Sequence, residues 1–148
     1  MLKSKLLVGF IFFLSIHYIN GQQKDEAVFF NQRDQITKFH TIRDLEDLKK
    51  GQLIQLYQDR IKEIITVLPF LSLTNEPGVR LSDLGIKEDS GHIKSLKKSV
   101  ETNKEAINVT QNSIEELVPY ADTEKIILTI LYFEEIIKKM RIGVTKNF

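Results

Sequence analysis

The spacing of apolar residues in the last third of the chain constrains the fold most strongly. Between Asp122 and Gly143, apolar residues recur at intervals of three and four, which is the period of an amphipathic helix. One group forms a seam (Ile126, Ile130, Phe133, Ile137 and Met140), and a second group widens it (Ile127, Leu128, Leu131 and Ile136). Burying these nine side chains gives a gross gain of about 15 to 25 kcal/mol. We therefore expect this helix, capped by Asp122 and stopped by Gly143, at the centre of a bundle or in an oligomer interface.

A second amphipathic pattern precedes Pro69. The apolar residues that mark its face are Leu53, Leu56, Tyr57, Ile61, Ile64, Ile65 and Leu68. Pro69 ends this helix because the residue before a proline is disfavoured in helical geometry. Upstream, Lys50-Gly51 interrupts the pattern, and Thr41 with Asp44 predicts an imperfect capping box for a short helical turn.

Residues 90 to 118 carry a seven-residue repeat, which suits coiled-coil-like packing. Ile93, Val100, Ile107 and Ile114 occupy one position of the repeat, and Leu96, Asn103, Thr110 and Leu117 occupy the position three residues later. Its centre is polar, so Asn103 and Thr110 either select a register by hydrogen bonding or mark a wet stretch. Thr102 and Glu105 match a capping box, so the segment is either one helix of about 43 Å or two shorter helices.

Prolines and glycines make residues 69 to 91 unsuited to a long regular element. Pro77 and Gly78 stand at the two central positions of a type II turn. We expect a helical turn near Leu81 to Leu84, and the apolar residues along the segment predict that it packs against the bundle. A connection of this length exceeds the usual helix-to-helix loop of about 2 to 8 residues.

These patterns predict an all-α fold, namely a small bundle of three or four helices with a long loop after the first long helix. The chain contains no cysteine, so disulfides and thiolate metal sites are excluded. Packing alone must therefore stabilise the bundle.

The N-terminus has the layout of a secretory signal peptide. Lys3 and Lys5 precede the apolar stretch from Leu6 to Ile19, and Gly21 offers a small residue at the cleavage point. The stretch is shorter than the roughly 20 residues that a membrane-spanning helix needs. We therefore predict a cleaved leader and a periplasmic or secreted protein, with membrane contact only through the signal peptide if it stays uncleaved.

The predicted domain organisation follows from these elements. Residues 1–21 form the signal peptide, residues 22–41 an N-terminal arm, and residues 42–148 the helical bundle domain. The segment 22–41 matches neither helical nor strand periodicity, and is either a tether or an arm that lies over the bundle. Its four large apolar residues, Phe29, Phe30, Ile36 and Phe39, favour the arm.

The balance of charge argues against a polyanionic partner. The leader carries two of the 21 basic residues and none of the 20 acidic residues, so the remaining chain has a formal net charge of −1. Nucleic-acid binding requires a basic excess or a clustered stripe. We therefore expect no nucleic-acid partner, and we assign Lys94, Lys97, Lys98 and Lys104 to a solvated helix face.

The chain lacks the residue patterns of the common catalytic and metal sites. After the leader only His40 and His92 remain, and neither belongs to a Glu-x-x-His pair. The acidic doublets at 115–116 and 134–135 are expected on solvated faces, because adjacent residues point about 100° apart and at most one of each faces inward. No Gly-x-Ser-x-Gly turn is present. We predict no metal, no cofactor and no enzymatic activity.

The remaining function is binding. Candidate binding residues are Asn75, Arg80 and Asp83 in the long loop, and Asn103 and Thr110 at the centre of the seven-residue repeat. The first hypothesis is an exported protein-interaction module that binds a protein partner or forms a homo-oligomer. The alternative is a carrier of a small apolar ligand beneath the last helix, near Phe70, Tyr120 and Phe133. A third possibility is an enzyme centred on His92.

Overall fold

The computed structural model describes residues 27–143. Within them the chain forms four α-helices, which are α1 (Ile42–Glu46), α2 (Lys50–Val67), α3 (Ser90–Leu117) and α4 (Thr123–Ile142). Single turns of 3-10 helix span Gln32–Asp34, Leu68–Phe70, Ser82–Leu84 and Val118–Tyr120. The all-α bundle with a long connection after its first long helix is confirmed. The predicted leader, residues 1–21, lies outside the described residues, and none of the helices in 27–143 is long and apolar enough to cross a membrane.

The central helix of the bundle is α2, since it packs against both α3 and α4. It begins at Lys50, so Lys50-Gly51 lies in its first turn. The expectation that these two residues interrupt the helical pattern is wrong. The side chain of Gln52 accepts a hydrogen bond from the Lys49 N–H at 3.0 Å, which satisfies a donor at the helix start. The α-helix ends at Val67, and Pro69 lies in the 3-10 turn that follows. The stop is near the predicted position, but Leu68 keeps right-handed helical dihedrals (φ −53°, ψ −41°), so the proline does not force the preceding residue out of helical geometry.

The apolar seam of α4 is buried as predicted at Ile126, Ile130, Ile137 and Met140. The wider apolar face is only partly inward, because Leu128 remains 51% exposed. Asp122 occupies the N-cap position but its side chain makes no capping hydrogen bond. At the other end Gly143 has φ 78°, which is the left-handed geometry that glycine adopts readily, and its N–H donates to Met140 O at 3.1 Å.

A single unbroken helix, α3, spans Ser90–Leu117, so of the two alternatives left by the sequence the structure has the one helix and not a break at Thr102. Asp89 Oδ1 caps its start by accepting hydrogen bonds from the N–H groups of Gly91 and His92, both at 3.0 Å. The repeat places Leu96 and Ile114 in the interior. At its last position the expectation is wrong: Leu117 is 67% exposed because it is the final residue of the helix.

The short helix α1 has the predicted cap. Asp44 Oδ2 accepts a hydrogen bond from the Thr41 N–H at 2.7 Å, and Thr41 Oγ1 accepts one from the Asp44 N–H at 3.3 Å. Leu45 is fully buried and belongs to an apolar cluster with Leu53, Ile126 and neighbouring residues. This cluster joins α1, the first half of α2 and the first half of α4.

A second apolar cluster joins the N-terminal segment, the long loop, α3 and the far ends of α2 and α4. Its buried members are Ala27, Phe29, Phe30, Val67, Phe70, Leu81, Leu96 and Met140. Three charged side chains of the bundle, Arg60, Glu63 and Glu134, are also buried but belong to neither cluster. The interior therefore consists of two apolar parts and a charged group.

Residues 27–41, hereafter the arm, lie against the bundle. Phe29 donates a backbone hydrogen bond to Val79 O at 3.2 Å, Gly78 donates to Phe30 O at 2.9 Å, and Leu81 donates to Ala27 O at 3.0 Å. The long loop is thus packed against the arm. Gly78 has φ 81°, as the third residue of a type II turn requires.

Candidate functional site

Two ion pairs join α2 to α4, and of their members Arg60, Glu63 and Glu134 are buried whereas Arg141 is partly exposed. Arg60 donates to Glu134 Oε1 from Nη2 at 2.7 Å and from Nε at 3.1 Å. Arg141 donates to Glu63, with Nε at 3.0 Å from Oε1 and Nη2 at 2.9 Å from Oε2. Each helix supplies one cation and one anion, so the charges are balanced. We call these four residues the arm clamp.

The arm clamp also binds the backbone of the arm. Ile36 donates its N–H to Glu63 Oε2 at 2.6 Å, and its carbonyl accepts from Arg141 Nη2 at 2.7 Å. Arg60 Nη2 donates to the carbonyl of Lys38 at 3.1 Å, and the N–H of His40 donates to Glu134 Oε2 at 2.7 Å. A segment without secondary structure must satisfy its backbone groups elsewhere. Here the charged side chains do so.

The charge on Glu134 is stabilised although the side chain is only 1% exposed. Burial by itself raises the pKa of this carboxyl, but hydrogen bonds from the His40 backbone and ring and from Arg60 outweigh it, so the pKa lies below its ordinary value of 4.5. The Nδ1 atom of His40 lies 3.0 Å from Glu134 Oε1 and 2.9 Å from Arg60 Nη2. It donates to the carboxylate when protonated at Nδ1, and accepts from Arg60 otherwise.

The arm clamp has the hydrogen bonds of a structural site. Among residues 27–143, no serine or threonine hydroxyl hydrogen-bonds to the His40 ring, so no hydroxyl nucleophile is paired with it there. Within the same range, no group of three or more histidine, aspartate or glutamate side chains could hold a metal ion. A cleft of about 360 Å³ opens between the arm and α2 beside Arg60, but the Arg60 guanidinium is already bound to Glu134.

A larger cleft, of about 500 Å³, lies between the arm, α2 and α3, and we call it the arm cleft. Its main apolar lining residues are Phe29, Phe30, Phe70, Leu96, Val100 and Ile107. The rings of Phe29 and Phe70 are 5.4 Å apart and tilted by 58°, which is a favourable arrangement for an aromatic pair. The polar-centred repeat of α3 therefore forms one wall of an open cleft at Val100 to Ile107.

Polar groups also line the arm cleft. Asn103 Nδ2 is buried and has no hydrogen-bond partner in the described part of the chain. Four basic residues line the cleft (Arg33, Lys62, Lys97 and Lys104), with two acidic residues (Asp34 and Glu101). The cleft thus combines an apolar wall with an available amide donor and an excess of positive charge.

The predicted binding residues do not form one site. Asn103 lines the arm cleft, whereas Thr110 lies two turns further along α3 and does not. Asn75 donates from Nδ2 to the carbonyl of Arg141 at 2.7 Å, at the end of α4. A Cβ atom on Gly143 would lie 3.1 Å from Asn75 Nδ2, so this contact suits a glycine. Asn75 thus contributes to the termination of α4.

The other two loop residues, Arg80 and Asp83, hydrogen-bond within the loop. The Arg80 N–H donates to Asp83 Oδ2 at 2.8 Å, and its guanidinium donates to Glu88 from Nη2 at 2.8 Å and from Nε at 3.1 Å. Hydrogen bonds from Arg80 and Ser82 lower the pKa of Glu88 to about 2. These contacts hold the connection in shape.

The aromatic residues expected to line a cavity beneath the last helix are not brought together. Phe70 is buried beside the arm cleft, whereas Tyr120 is 88% exposed. Phe133 packs against Tyr57, with ring centroids 5.1 Å apart. The cavity that could hold a ligand lies between the arm, α2 and α3, where Phe70 lines it and Tyr120 and Phe133 do not. His92 lies exposed at the start of α3, where its Nδ1 is 2.9 Å from the Lys87 carbonyl.

The arm clamp was not predicted from the sequence. The doublet Glu134-Glu135 was expected on a solvated face, which is wrong for Glu134 and correct for the exposed Glu135. The position of Glu134 contained a clue, because it lies four residues after the buried Ile130 and three before the buried Ile137. An acid within a buried apolar seam requires a buried partner.

Comparisons with protein families, with curated proteins and with solved structures find no match to this chain.

Proposed function

We propose that this protein is an exported, non-catalytic carrier that holds a small apolar ligand in the arm cleft. The observation that carries the proposal is the arm cleft of about 500 Å³, which has a mainly apolar lining and a buried amide donor at Asn103. Ligand pockets commonly measure about 300 to 1,000 Å³ and combine apolar lining with a few polar groups. Export rests on the predicted leader at residues 1–21. An exported carrier would act in the periplasm or outside the cell.

Binding of a neutral fluorescent probe, N-phenyl-1-naphthylamine, tests the carrier function. Because the chain has no cysteine, single cysteines can be introduced and labelled with a bulky maleimide. Lys104→Cys lies at the arm cleft, and Lys94→Cys lies on an exposed part of the same helix. Label at position 104 should reduce probe binding at least tenfold, and label at position 94 should leave it unchanged. Equal binding in both labelled proteins, or no binding by the unlabelled protein, would reject the carrier proposal.

A second candidate is the protein-interaction module, and a different surface favours it. Ile42 and Leu128 line a shared depression between α1 and α4, and Tyr132, one turn beyond Leu128, is 66% exposed. Exposed neighbouring apolar side chains are a feature of protein contact surfaces. Sedimentation velocity over a range of concentrations tests self-association through this surface. The Leu128→Asp variant should abolish any dimer. Asn112→Asp, which adds the same charge at an exposed position of α3, is the control, and a dimer that persists in Leu128→Asp would exclude this surface.

A further inference from the structure

We infer that the arm cleft selects an apolar chain that bears a carboxylate. The inference rests on the proposed carrier function and adds the chemical class of the ligand. It depends on three features of the described residues: the apolar walls, the buried amide donor, and the charges around the cleft. Each feature favours one part of such a molecule.

The walls favour the apolar part. Phe29, Phe30, Phe70 and Leu96 are buried core residues whose side chains also line the cleft. A hydrocarbon chain in contact with them loses apolar area to water at about 25 cal/mol per Å².

The amide of Asn103 favours an oxygen acceptor. A buried donor that lacks a partner has lost its hydrogen bond to water, so an acceptor placed beside it is favoured. Asn103 Nδ2 is the buried side-chain polar atom of residues 27–143 without a partner. On α3, Val100 and Ile107 lie about one turn before and after Asn103 and also line the cleft, together with Glu101 and Lys104. A chain attached to a head group at the amide can therefore lie against Val100 or Ile107.

The charges favour an anion over a cation. Of the four basic residues at the cleft, Arg33, Lys62 and Lys104 make no ion pair with any described residue. Of the two acidic residues, Asp34 already accepts a hydrogen bond from the Asn31 N–H at 2.9 Å. Lys104 lines the same cleft as Asn103, so the cleft presents a cation together with the amide donor. A carboxylate satisfies both groups, whereas a neutral ester or an amine does not.

Displacement of N-phenyl-1-naphthylamine by three matched molecules tests this inference on the full chain. Dodecanoate, methyl dodecanoate and dodecylamine share a chain and differ in charge, and each is used below its aggregation concentration. Dodecanoate should displace the probe at a concentration at least tenfold lower than the other two. If the ester competes equally well, the head-group inference is wrong and the carrier function stands. If none of the three competes with a bound probe, the inference is also wrong.

A charge change at the amide provides an independent test. Asn103→Asp removes the donor and adds a negative charge without changing the size of the side chain, and Asn112→Asp makes the same change at an exposed position of α3. Asn103→Asp should weaken dodecanoate at least tenfold, strengthen dodecylamine, and leave the ester unchanged, whereas Asn112→Asp should change none of them. A variant that is partly unfolded would weaken all three molecules together. An unchanged acid-to-ester ratio in Asn103→Asp would overturn the inference.

Discussion

Glu134 lies in the interior, and both of its carboxylate oxygens accept hydrogen bonds from nitrogen donors. Arg60 binds Oε1 and the His40 N–H binds Oε2, so the carboxylate exchanges water for protein hydrogen bonds. A buried ion pair of this kind adds little over an apolar pair of equal volume, but the loss of one member leaves a charge without compensation. The contribution of Glu134 is therefore best measured by its removal.

Glu134→Gln should destabilise the protein by about 3 to 5 kcal/mol, because Arg60 would stay buried without its counter-charge. Urea unfolding followed by circular dichroism measures this change. Glu135→Gln is the matched control, since Glu135 is exposed and paired with the surface residue Lys138 at 2.6 Å. That control should cost less than about 1 kcal/mol. Equal stabilities of the two variants would contradict a role for the arm clamp in stability.

The lowered pKa of Glu134 makes stability depend on pH in a defined direction. A carboxyl whose pKa is lower in the folded chain stabilises the fold above its ordinary pKa of 4.5, and this stabilisation is lost as the pH falls through the lowered value. The urea concentration at the unfolding midpoint, measured between pH 7 and pH 2, should therefore decrease once the pH is below about 4.5. The fall should be smaller in Glu134→Gln, which has no carboxyl to titrate. An identical pH dependence in both proteins would assign the acid sensitivity to other groups.

At the scale of elements, apolar spacing predicted where helices form but not all of their contacts. Pro69, the Thr41 cap and the α4 seam gave correct helices, because these signals are local. The continuity of α3 at Thr102 could not be predicted, since a capping box in mid-helix is overridden by packing on α2. The arm cleft was equally hidden. It depends on the path of the arm, which lacks periodicity, and of its lining residues only Asn103 and Phe70 were named as binding candidates.

The two ends of the α3 repeat should differ in energy. Ile114 is 6% exposed, so Ile114→Ala should cost about 2 to 5 kcal/mol through lost burial and a cavity. Leu117→Ala removes an exposed side chain from the same apolar repeat and should cost less than about 1 kcal/mol. Thermal or urea unfolding of both variants measures the difference. A comparable loss in Leu117→Ala would mean that this end of α3 is covered in solution, for example by a second copy.

At the scale of the whole molecule, the arm contacts the long loop, α2 and α4, which were predicted as separate elements. Its first residues pair with the long loop, and residues 36–40 bind the arm clamp between α2 and α4. The same segment supplies one wall of the arm cleft through Phe29 and Phe30. The geometry of the cleft is therefore coupled to the charges that hold the arm.

Hydrogen exchange measured by NMR should detect this attachment. The amides of Ile36 and His40 donate to the buried carboxylates of Glu63 and Glu134, so they should exchange slowly although the segment has no regular secondary structure. The amides of Thr37 and Lys38, on exposed residues between them, serve as internal controls and should exchange faster. Uniformly fast exchange of all four would show that the arm detaches readily.

The attachment of the arm also bears on how far the polypeptide can be shortened. The predicted boundary at residue 42 would cut away the carbonyls and amides that Arg60, Glu63, Glu134 and Arg141 bind. Water would then have to solvate these four charged side chains of α2 and α4. Phe29 and Phe30 would also be missing from the second apolar cluster. We therefore expect a chain that starts at residue 42 to be less stable than one that keeps arm residues 27–41.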